Sequence, residues 1–398
     1  MSFSRRTDWN TETSDLARAH RARLDAGLPL LDLTASNPTR CGFEYPSDLL
    51  APLLDSAALD YDPNPKGSGQ AREAICDYYT GHSADIDPEN ILLTTSTSEA
   101  YSYLFKLLCD PGDEIIVPVP GYPLFDYLAD AEVVRLVTTP LIYDHGWQLD
   151  PDSIERSITS RTRAIVLVHP NNPTGHFTSR EQARMLFDLC KLHDLALIVD
   201  EVFLDYALAT DCVVSDALTF LARQPTVPTF VVSGISKILG LPQMKVAWIA
   251  AAGVGVEQAM VRLEVLADTF LSMNAPMQRA LPVWLGQREQ IQSQIRRRVR
   301  GNLDVLDQLL CAQPTPWVTR LEAEAGWYAV LRIPALCPDE ATARELLERG
   351  VWVHPGYFFG MPTSGWLVVS LLTPDDTFAA GVRMVLDFVA ERETAQQI

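Results

Sequence analysis

The sequence predicts an α/β protein with a mostly parallel β-sheet, helices on both faces of that sheet, and a smaller α+β domain. Short apolar runs alternate with helical patterns through the middle of the 398-residue chain, which is typical of βαβ units. Several of these runs are apolar at both odd and even positions, as in parallel strands that helices cover on both sides. The C-terminal third changes to longer helical stretches separated by short strand-like segments.

The elements of the βαβ region follow from apolar periodicity and from the polar residues that bound each run. Runs that are apolar throughout predict strands, and runs with one apolar face predict helices. In chain order these are the strand Ile91–Thr94, the helix Glu99–Leu108, the strands Glu114–Val119 and Ala164–His169, the helix Ser179–His193, and the strands Leu195–Asp200 and Thr229–Ser233.

The same reasoning predicts a second unit at the C-terminal end. Its helices and strands are Val256–Leu271 and Ala275–Leu310 (helical), Trp317–Leu321 and Trp327–Ile333 (strands), Asp339–Glu348 (helix), Val351–His354 and Trp366–Leu371 (strands), and Asp375–Glu393 (helix). The segment up to about Arg40 is too short for a domain of its own and is expected to pack against this unit. We therefore predict a large domain at residues 45–285 and a small α+β domain at residues 1–44 and 286–398.

Composition excludes several classes of function. The formal net charge of −19 argues against a nucleic-acid binder, which needs a basic face, and against an anionic membrane surface. The seven cysteines are scattered and form no C-x-x-C pair, which is typical of reduced thiols in a cytoplasmic protein and not of a disulfide framework or a metal site. No apolar run approaches the ~18 residues of a membrane span, and the first residues lack the apolar core of a signal peptide.

Lys237 lies where an attached group has room. An apolar strand ends in Ser233-Gly-Ile-Ser-Lys237, and a Gly-Leu-Pro turn leads on to Lys245. Schiff-base chemistry needs a compact amine on a flexible stem, with a pKa that can fall on burial. A solvated surface lysine is the alternative interpretation.

Two further polar segments follow predicted strands. Asp200 closes the strand Leu195–Asp200, and ligands of open α/β sheets bind at the carboxyl ends of strands. The tight loop His169-Pro-Asn-Asn-Pro-Thr-Gly175 follows the preceding strand, so it can bring the amides of Asn171 and Asn172 to the same crevice. An ordinary cap or turn is the alternative for each segment.

A run of small hydroxyl residues, Thr94-Thr-Ser-Thr-Ser-Glu-Ala100, lies between a predicted strand and a predicted helix. Free backbone N–H groups, hydroxyl oxygens and the positive end of the helix dipole together make an anion site. Simple helix capping, with Glu99 in the first turn, is compatible with the same residues.

In this order the motifs resemble those of fold-type I, pyridoxal-phosphate-dependent aminotransferases of class I/II. The resemblance runs from about Leu31 to Ala390. It rests on Tyr61…Gly67, the Ser/Thr run, Pro-Gly-Tyr122, Asn-Asn-Pro-Thr-Gly175, Asp-Glu-Val202 and Ser-x-x-Ser-Lys237…Gly-Leu-Pro242. It implies an enzyme that uses pyridoxal 5'-phosphate to move an amino group from an amino acid to a 2-oxo acid.

The resemblance also implies a role for each matching residue. Lys237 resembles the lysine that forms the internal aldimine and moves protons at the substrate α-carbon, and Asp200 resembles the partner of the pyridine nitrogen. Asn172 resembles the partner of the cofactor's phenolic oxygen, and Tyr122 the aromatic residue that stacks on its ring. The residues that resemble the family's phosphate contacts are Ser96, Thr97, Ser98, Ser236, Lys245 and, from a neighbouring subunit, Tyr61. A homodimer would then complete the site.

The chain departs from the family at several cofactor positions. Lys245 stands where an arginine is usual, so the charge is kept but the bidentate fork is lost. Gly234 replaces a phosphate-binding serine, for which Ser233, Ser236 or a backbone N–H can substitute. Phe203 replaces a tyrosine that would donate a hydrogen bond to the phenolic oxygen, which predicts a raised pKa of the aldimine.

The largest departure concerns the substrate carboxylate. Val368, in Leu367-Val-Val-Ser370, stands where the family has an arginine that grips that group. Either another cation binds the carboxylate or the substrate is held without such a clamp. We predict that Arg40 binds it, with Asn37 beside the substrate, because the segment Thr34–Arg40 lines the substrate side of the site in the family. A plain surface arginine is the alternative.

Two other functions remain open at this point. A β-lyase or decarboxylase on the same fold would use the same cofactor, and both Val368 and Phe203 give that alternative weight. A non-catalytic effector-binding domain is disfavoured by the intact pair of Lys237 and Asp200. The sequence does not identify the amino donor or the acceptor.

Overall fold

The protein folds into twelve helices of the α type and fourteen strands within residues 3–208, 216–271 and 273–396, the ranges that a computed structural model describes. The helices are α1 (Asp15–Asp25), α2 (Gly69–Thr80), α3 (Thr97–Leu108), α4 (Phe125–Glu132), α5 (Pro151–Ser157), α6 (Arg180–His193), α7 (Ile235–Ile238), α8 (Val256–Phe270), α9 (Ala275–Gly286), α10 (Arg288–Cys311), α11 (Asp339–Arg349) and α12 (Asp375–Gln396). The strands are β1 (Leu31–Asp32), β2 (Ile91–Thr94), β3 (Glu114–Val119), β4 (Arg135–Tyr143), β5 (Trp147–Leu149), β6 (Thr162–Val168), β7 (Ala196–Asp200), β8 (Thr229–Gly234), β9 (Ala247–Ala252), β10 (Thr319–Arg320), β11 (Tyr328–Arg332), β12 (Val351–Trp352), β13 (His354–Pro355) and β14 (Trp366–Ser370).

The larger sheet has eight strands in the order β2-β9-β8-β7-β6-β3-β4-β5. Strand β3 is parallel to β4 and β6, β6 is parallel to β7, and β7 is parallel to β8. Strand β9 is antiparallel to its neighbours β2 and β8, and β5 is antiparallel to β4. The prediction of a mostly parallel sheet is therefore confirmed.

Helices cover both faces of this sheet. Successive residues of one strand belong to different apolar clusters: Ile115 packs with residues of α3, whereas Ile116 packs with residues of α6. On β6, Val166 belongs to the same cluster as Ile115, and Ile165 belongs to the same cluster as Ile116. This arrangement explains why the strands are apolar at both odd and even positions, as the sequence indicated.

The smaller sheet is antiparallel, with the order β10-β11-β14-β13. Helices α10 and α12 pack against each other beside it. The N-terminal segment joins this unit because β1 pairs in parallel with β12, with Leu31 opposite Val351. The prediction of a smaller α+β unit, with the N-terminal segment packed against it, is confirmed.

The predicted elements of the βαβ region are all present, with ends that shift by at most two residues. The sequence patterns did not predict α1, α2, α4, α5, α7, β1, β4, β5 and β9. Strand β9 was missed because it is rich in alanine, which has little β-propensity. The helix α2 carries a signal that was overlooked, since Ala71, Ile75 and Tyr78 have helical spacing and are buried.

Two predicted segments are divided in the structure. The helical stretch Ala275–Leu310 consists of α9 and α10, which are separated at Gln287, and this residue has a non-helical backbone. The predicted strand Val351–His354 is split between β12, which pairs with β1, and β13, which pairs with β14. The segment is split because β12 and β13 pair with strands of two different sheets. An apolar pattern along the chain does not indicate which strands will pair.

The described residues include neither a membrane-spanning helix nor a metal-binding cluster. Within the described ranges no helix is long and apolar enough to cross a membrane. The same residues contain no cluster of three or more histidine, cysteine, aspartate or glutamate side chains that could hold a metal ion. Six cysteines are free thiols, and Cys212 lies outside the described residues.

Gly175 joins the two sheets at a close backbone approach. Its carbonyl accepts hydrogen bonds from the N–H groups of Glu324 (3.0 Å) and Ala325 (2.8 Å). Its φ is +71°, and a Cβ at this position would overlap the carbonyl oxygen of Ala325. Only glycine fits at this point, because both the backbone angle and the space exclude a side chain.

We expect Gly175→Ala to lower the free energy of unfolding more than the control Gly112→Ala does. Gly112 has a φ of +90° with open space around it, so its substitution adds only backbone strain of ~1–2 kcal/mol. Gly175→Ala adds an overlap that costs about 1–3 kcal/mol more. Urea unfolding of both variants measures the difference, and equal losses would contradict the steric account.

Candidate functional site

The candidate site lies at one edge of the larger sheet. The carboxyl ends of β7, β8 and β6 meet there, followed in the chain by Glu201, Ile235 and His169. Strand β2 ends at the same edge, because it is antiparallel to β9 and β9 is antiparallel to β8. Ligands of open α/β sheets bind at such an edge.

Lys237 lies in the one-turn helix α7, directly after β8. Its amine faces the aromatic rings of Phe203, at 5.5 Å from the ring centroid, and of Trp327, at 5.0 Å. Burial lowers the pKa of Lys237 from 10.5 to about 8, while the nearby Asp200 carboxylate acts in the opposite direction. Lys237 is therefore an enclosed amine, and a surface lysine is the wrong interpretation.

Asp200 is a buried carboxylate at the end of β7. The hydroxyl of Tyr101 donates a hydrogen bond to Oδ2 (3.1 Å), and the N–H of Val202 donates one to Oδ1 (3.1 Å). Burial raises the pKa of Asp200 to about 6, and the two hydrogen bonds and Lys237 limit that rise. The side chain is thus mostly ionised at neutral pH and held in one orientation.

Two buried oxygen atoms at this edge have no hydrogen-bond partner among the described residues: Asn172 Oδ1 and Ser233 Oγ. Asn171, by contrast, accepts a hydrogen bond from the hydroxyl of Thr174 at 2.8 Å, so it belongs to the loop's own structure. A buried polar atom without a partner costs about 1–3 kcal/mol. A ligand that pairs with these atoms would recover that energy.

The N-terminus of α3 is capped and still offers donors. Ser96 is the N-cap, and its Oγ accepts from the N–H of Glu99 at 3.1 Å. Glu99 in turn accepts from the N–H and hydroxyl of Thr95. Thr97 and Ser98 are half-buried. This capping leaves other first-turn N–H groups and the positive end of the dipole directed outward, so it is compatible with the predicted anion site.

Tyr122 is half-buried and lies within electrostatic range of Asp200 and Tyr328. Burial and the nearby Asp200 raise the pKa of Tyr122 to about 12, so its phenol stays neutral. Its ring meets Phe125 edge-on, with centroids 5.6 Å apart. Tyr122 therefore lies near Asp200, in the same site as Lys237.

Other residues singled out by the sequence have no such contact in the single chain. Tyr61, Lys245, Arg40 and Asn37 are exposed, and within the described ranges no hydrogen bond or ion pair connects them to Lys237 or Asp200. Asn37 caps a short 3₁₀-helix, where its Oδ1 accepts from the N–H and hydroxyl of Thr39. Ser236 is half-buried beside Lys237. The roles of all these residues stay predictions.

Val368 is fully buried in the smaller sheet. It is paired with Val330 on one side and with His354 on the other. Paired residues of adjacent strands share a face, so the neighbours of Val368 on that face are one apolar and one imidazole side chain. The position therefore offers no permanent cation of its own.

Sequence reasoning missed the parts played by Tyr101 and Tyr206. Tyr101 holds Asp200, and the hydroxyl of Tyr206 donates to the carbonyl of Lys237 at 2.6 Å. Both side chains are fully buried. A phenol on a core face needs a hydrogen-bond partner, and in α3 that signal was available from the buried spacing of Ala100, Tyr101 and Leu104.

Known proteins resemble this chain in sequence and in fold. A sequence profile described as aminotransferase class I and II matches residues 53–381. The alanine aminotransferase of Mycobacterium tuberculosis is 31% identical over 285 residues, which span 69% of this chain and 64% of that protein. The arginine–pyruvate transaminase of Pseudomonas aeruginosa is 26% identical over 380 residues, 93% of this chain and 92% of that protein.

Solved structures share the fold. An alanine aminotransferase from Pyrococcus furiosus superposes with a TM-score of 0.87 at 22% identity, covering 98% of this chain and 100% of that chain. The aspartate aminotransferase of Thermus thermophilus with maleate gives a TM-score of 0.81 at 23% identity, covering 97% of this chain and 99% of that chain.

The buried amine makes stability depend on pH in a defined direction. The folded ligand-free protein loses the Lys237 proton near pH 8, whereas the unfolded chain keeps it until about 10.5. The unfolding free energy of the wild type should therefore rise relative to Lys237→Met between pH 8 and 10.5, by up to about 3 kcal/mol. Urea titrations of both proteins across this range measure it, and a constant difference would show that the amine is not enclosed.

Proposed function

The chain belongs to the class I and II aminotransferase family, and from that premise we propose that it moves an amino group from an amino acid to a 2-oxo acid with pyridoxal 5'-phosphate as its cofactor. The observation that carries the proposal is the enclosed Lys237 amine beside the buried Asp200 carboxylate at the carboxyl edge of the sheet. The amine suits the cofactor's aldehyde, and the carboxylate suits its protonated ring nitrogen.

The remaining polar groups at this edge also fit the cofactor. The amide NH2 of Asn172 is a hydrogen-bond donor, which suits the ring oxygen. The half-buried phenol ring of Tyr122 offers a stacking face. The N-terminus of α3, with Ser96, Thr97 and Ser98, is suited to the phosphate. When bound, the cofactor supplies a ring that accepts electrons from the substrate α-carbon.

Lys237 holds the cofactor's aldehyde carbon and then moves a proton at the substrate α-carbon. Its pKa of about 8 leaves part of the amine unprotonated near neutral pH, which a base or nucleophile requires. Asp200 keeps its charge toward the ring nitrogen because Tyr101 and Val202 hold both carboxylate oxygens. Phe203 and Trp327 exclude water from one side of the amine.

We propose that the phosphate site is completed by a second copy of the chain in a homodimer. Lys245 and Ser236 flank the Gly-Leu-Pro turn after Lys237, and we include both as phosphate contacts. Tyr61 is 78% exposed in the single chain, which suits a residue that reaches the site of a second copy.

We also propose the domain boundaries and the cellular compartment of the protein. We assign residues 45–285 to a large domain and residues 1–44 and 286–398 to a small one, with the site between them. Contact of Phe203 with Trp327 across that boundary, with centroids 5.2 Å apart, supports the assignment. The free thiols of the described chain suit a cytoplasmic enzyme.

We propose that Arg40 binds the substrate carboxylate and that Asn37 lies beside the substrate. Val368 offers no cation, so a cation that binds the carboxylate has to come from another segment. Arg40 is the last residue of a short 3₁₀-helix capped by Asn37, and it has no ion-pair partner among the described residues. A guanidinium without a partner is available for a carboxylate.

Val368 also favours a second candidate, a β-lyase or decarboxylase with the same cofactor. Which bond at the α-carbon breaks depends on how the substrate is oriented against the ring, and a changed carboxylate contact changes that orientation. The products distinguish the two reactions, because transamination yields a 2-oxo acid with no release of ammonia or carbon dioxide.

We expect purified protein loaded with pyridoxal phosphate to show a visible absorbance band, and one or more amino acids to bleach it while the matching 2-oxo acid appears. Alanine, glutamate and arginine come first, because the names of the relatives include alanine, glutamate–pyruvate and arginine–pyruvate transfer. Lys237→Ala should lose the band and this reaction. Release of ammonia or carbon dioxide would support the second candidate instead.

We expect Arg40→Ala to raise the KM for the amino donor by roughly tenfold to a hundredfold with little change in the cofactor band, because a charge-assisted hydrogen bond is lost. Arg184→Ala is the matched control, since Arg184 is an exposed arginine on α6. An unchanged KM in Arg40→Ala would assign the carboxylate to another group.

A further inference from the structure

Within the described ranges, Tyr101 is the one side chain that donates a hydrogen bond to Asp200. Its hydroxyl lies 3.1 Å from Asp200 Oδ2, and the backbone N–H of Val202 binds Oδ1 at 3.1 Å. Both side chains are buried, so water competes little for these bonds. Each carboxylate oxygen has two lone pairs, so each oxygen keeps one for a further donor. Asp200 can therefore bind a ligand N–H group without releasing Tyr101.

Aromatic neighbours hold the ring of Tyr101 in place. The ring meets Phe125 edge-on, with centroids 5.1 Å apart, and lies 5.9 Å from the ring of Phe105 on the same helix. Phe125 also meets Tyr122 edge-on, with centroids 5.6 Å apart. The hydroxyl that binds Asp200 and the ring that we propose to stack on the cofactor therefore belong to one packed cluster.

Helix α3 carries Tyr101 one turn after its N-terminus. Thr97 and Tyr101 are four residues apart, so they lie on the same face of the helix. The first turn of α3 is the phosphate site that we propose, and the next turn binds the carboxylate that we propose for the ring nitrogen. One helix therefore connects two separate contacts to the same cofactor.

Tyr101 stays a neutral donor beside the carboxylate, because burial and the charge of Asp200 raise the pKa of Tyr101 well above 10. The other titratable groups within electrostatic range of Asp200 in the described ranges are Lys237, Tyr79 and Tyr122. Glu201, the next residue in the chain, accepts hydrogen bonds from the Thr219 hydroxyl and the Phe220 N–H. Of these groups, Lys237 and Tyr101 favour the charged form of Asp200.

We propose that Tyr101 is a positioning residue, whose hydroxyl orients the Asp200 carboxylate and favours its charged form, so that the ring nitrogen of bound pyridoxal phosphate keeps its proton. This inference rests on the proposed function. A proton between a carboxylate and a ring nitrogen stays on the more basic of the two. A donor to the carboxylate stabilises its charge and makes it the weaker base, which leaves the proton on the nitrogen.

The first test uses the ligand-free protein. We expect Tyr101→Phe to raise the pKa of Asp200 by about one pH unit, measured from the carboxyl signal of ¹³C-labelled aspartate, which Asp200→Asn identifies. Incorporation of 3-fluorotyrosine in place of Tyr101 makes the phenol a stronger donor with little change in size, so it should lower that pKa. An Asp200 pKa that stays at the wild-type value in the fluorinated protein would overturn the inference, even if Tyr101→Phe fails to fold.

Tyr78→Phe is the matched control. Tyr78 is a buried tyrosine on α2, and its hydroxyl donates to Oδ2 of Asp205 at 3.2 Å. The substitution removes the same kind of hydrogen bond from a different carboxylate, so the pKa of Asp200 should keep its wild-type value. An equal rise in Tyr78→Phe and Tyr101→Phe would overturn the inference, because the rise would then follow from the loss of any buried hydroxyl.

The second test uses the protein loaded with pyridoxal phosphate that carries ¹⁵N in its ring. We expect Tyr101→Phe to move the ring-nitrogen signal toward that of a neutral pyridine and to weaken cofactor binding roughly tenfold, whereas Tyr78→Phe changes neither. A ring-nitrogen signal in Tyr101→Phe that equals the wild type would overturn the inference while the proposed function stands. Absence of cofactor binding in the wild type would overturn both.

Discussion

The site depends on keeping an amine and a carboxylate together out of water. Each ion alone would be driven to its neutral form by burial, and the lowered pKa of Lys237 and the raised pKa of Asp200 show that tendency. Their mutual attraction and the two hydrogen bonds to Asp200 oppose it. The result is a lysine amine that changes protonation near pH 8, beside an aspartate that is mostly ionised at neutral pH.

The fold holds this pair in place from two directions. Strands β7 and β8 fix Asp200 and the segment before Lys237 at one sheet edge, with apolar layers on both faces. The segment before β11 brings Trp327 over the amine, and the backbone contact of Gly175 with Ala325 anchors that segment to the larger sheet. Contacts remote from Lys237 and Asp200, such as the backbone contact of Gly175 with Ala325, therefore help to hold the side chains of the site in position.

The sequence predicted most of the larger sheet because its strands are buried on both faces and therefore uniformly apolar. It missed β9, whose alanines carry no strand signal, although β9 lies at the centre of the pairing between β2 and β8. Lys237 and Asp200 were predictable because Asp200 ends a recognisable strand and Lys237 follows another. The partners Tyr101, Tyr206 and Trp327 were not assigned these roles, because their contacts join residues that are distant in sequence and each has the ordinary pattern of a core residue.

We propose that Lys237 is the residue that bonds the cofactor. Borohydride reduction of the protein with pyridoxal phosphate, followed by digestion and peptide mass spectrometry, locates that bond directly. We expect a single pyridoxyl group on the peptide that contains Lys237, with Lys245 unmodified. Labelling of Lys245 alone, or no labelled lysine at all, would contradict the claim.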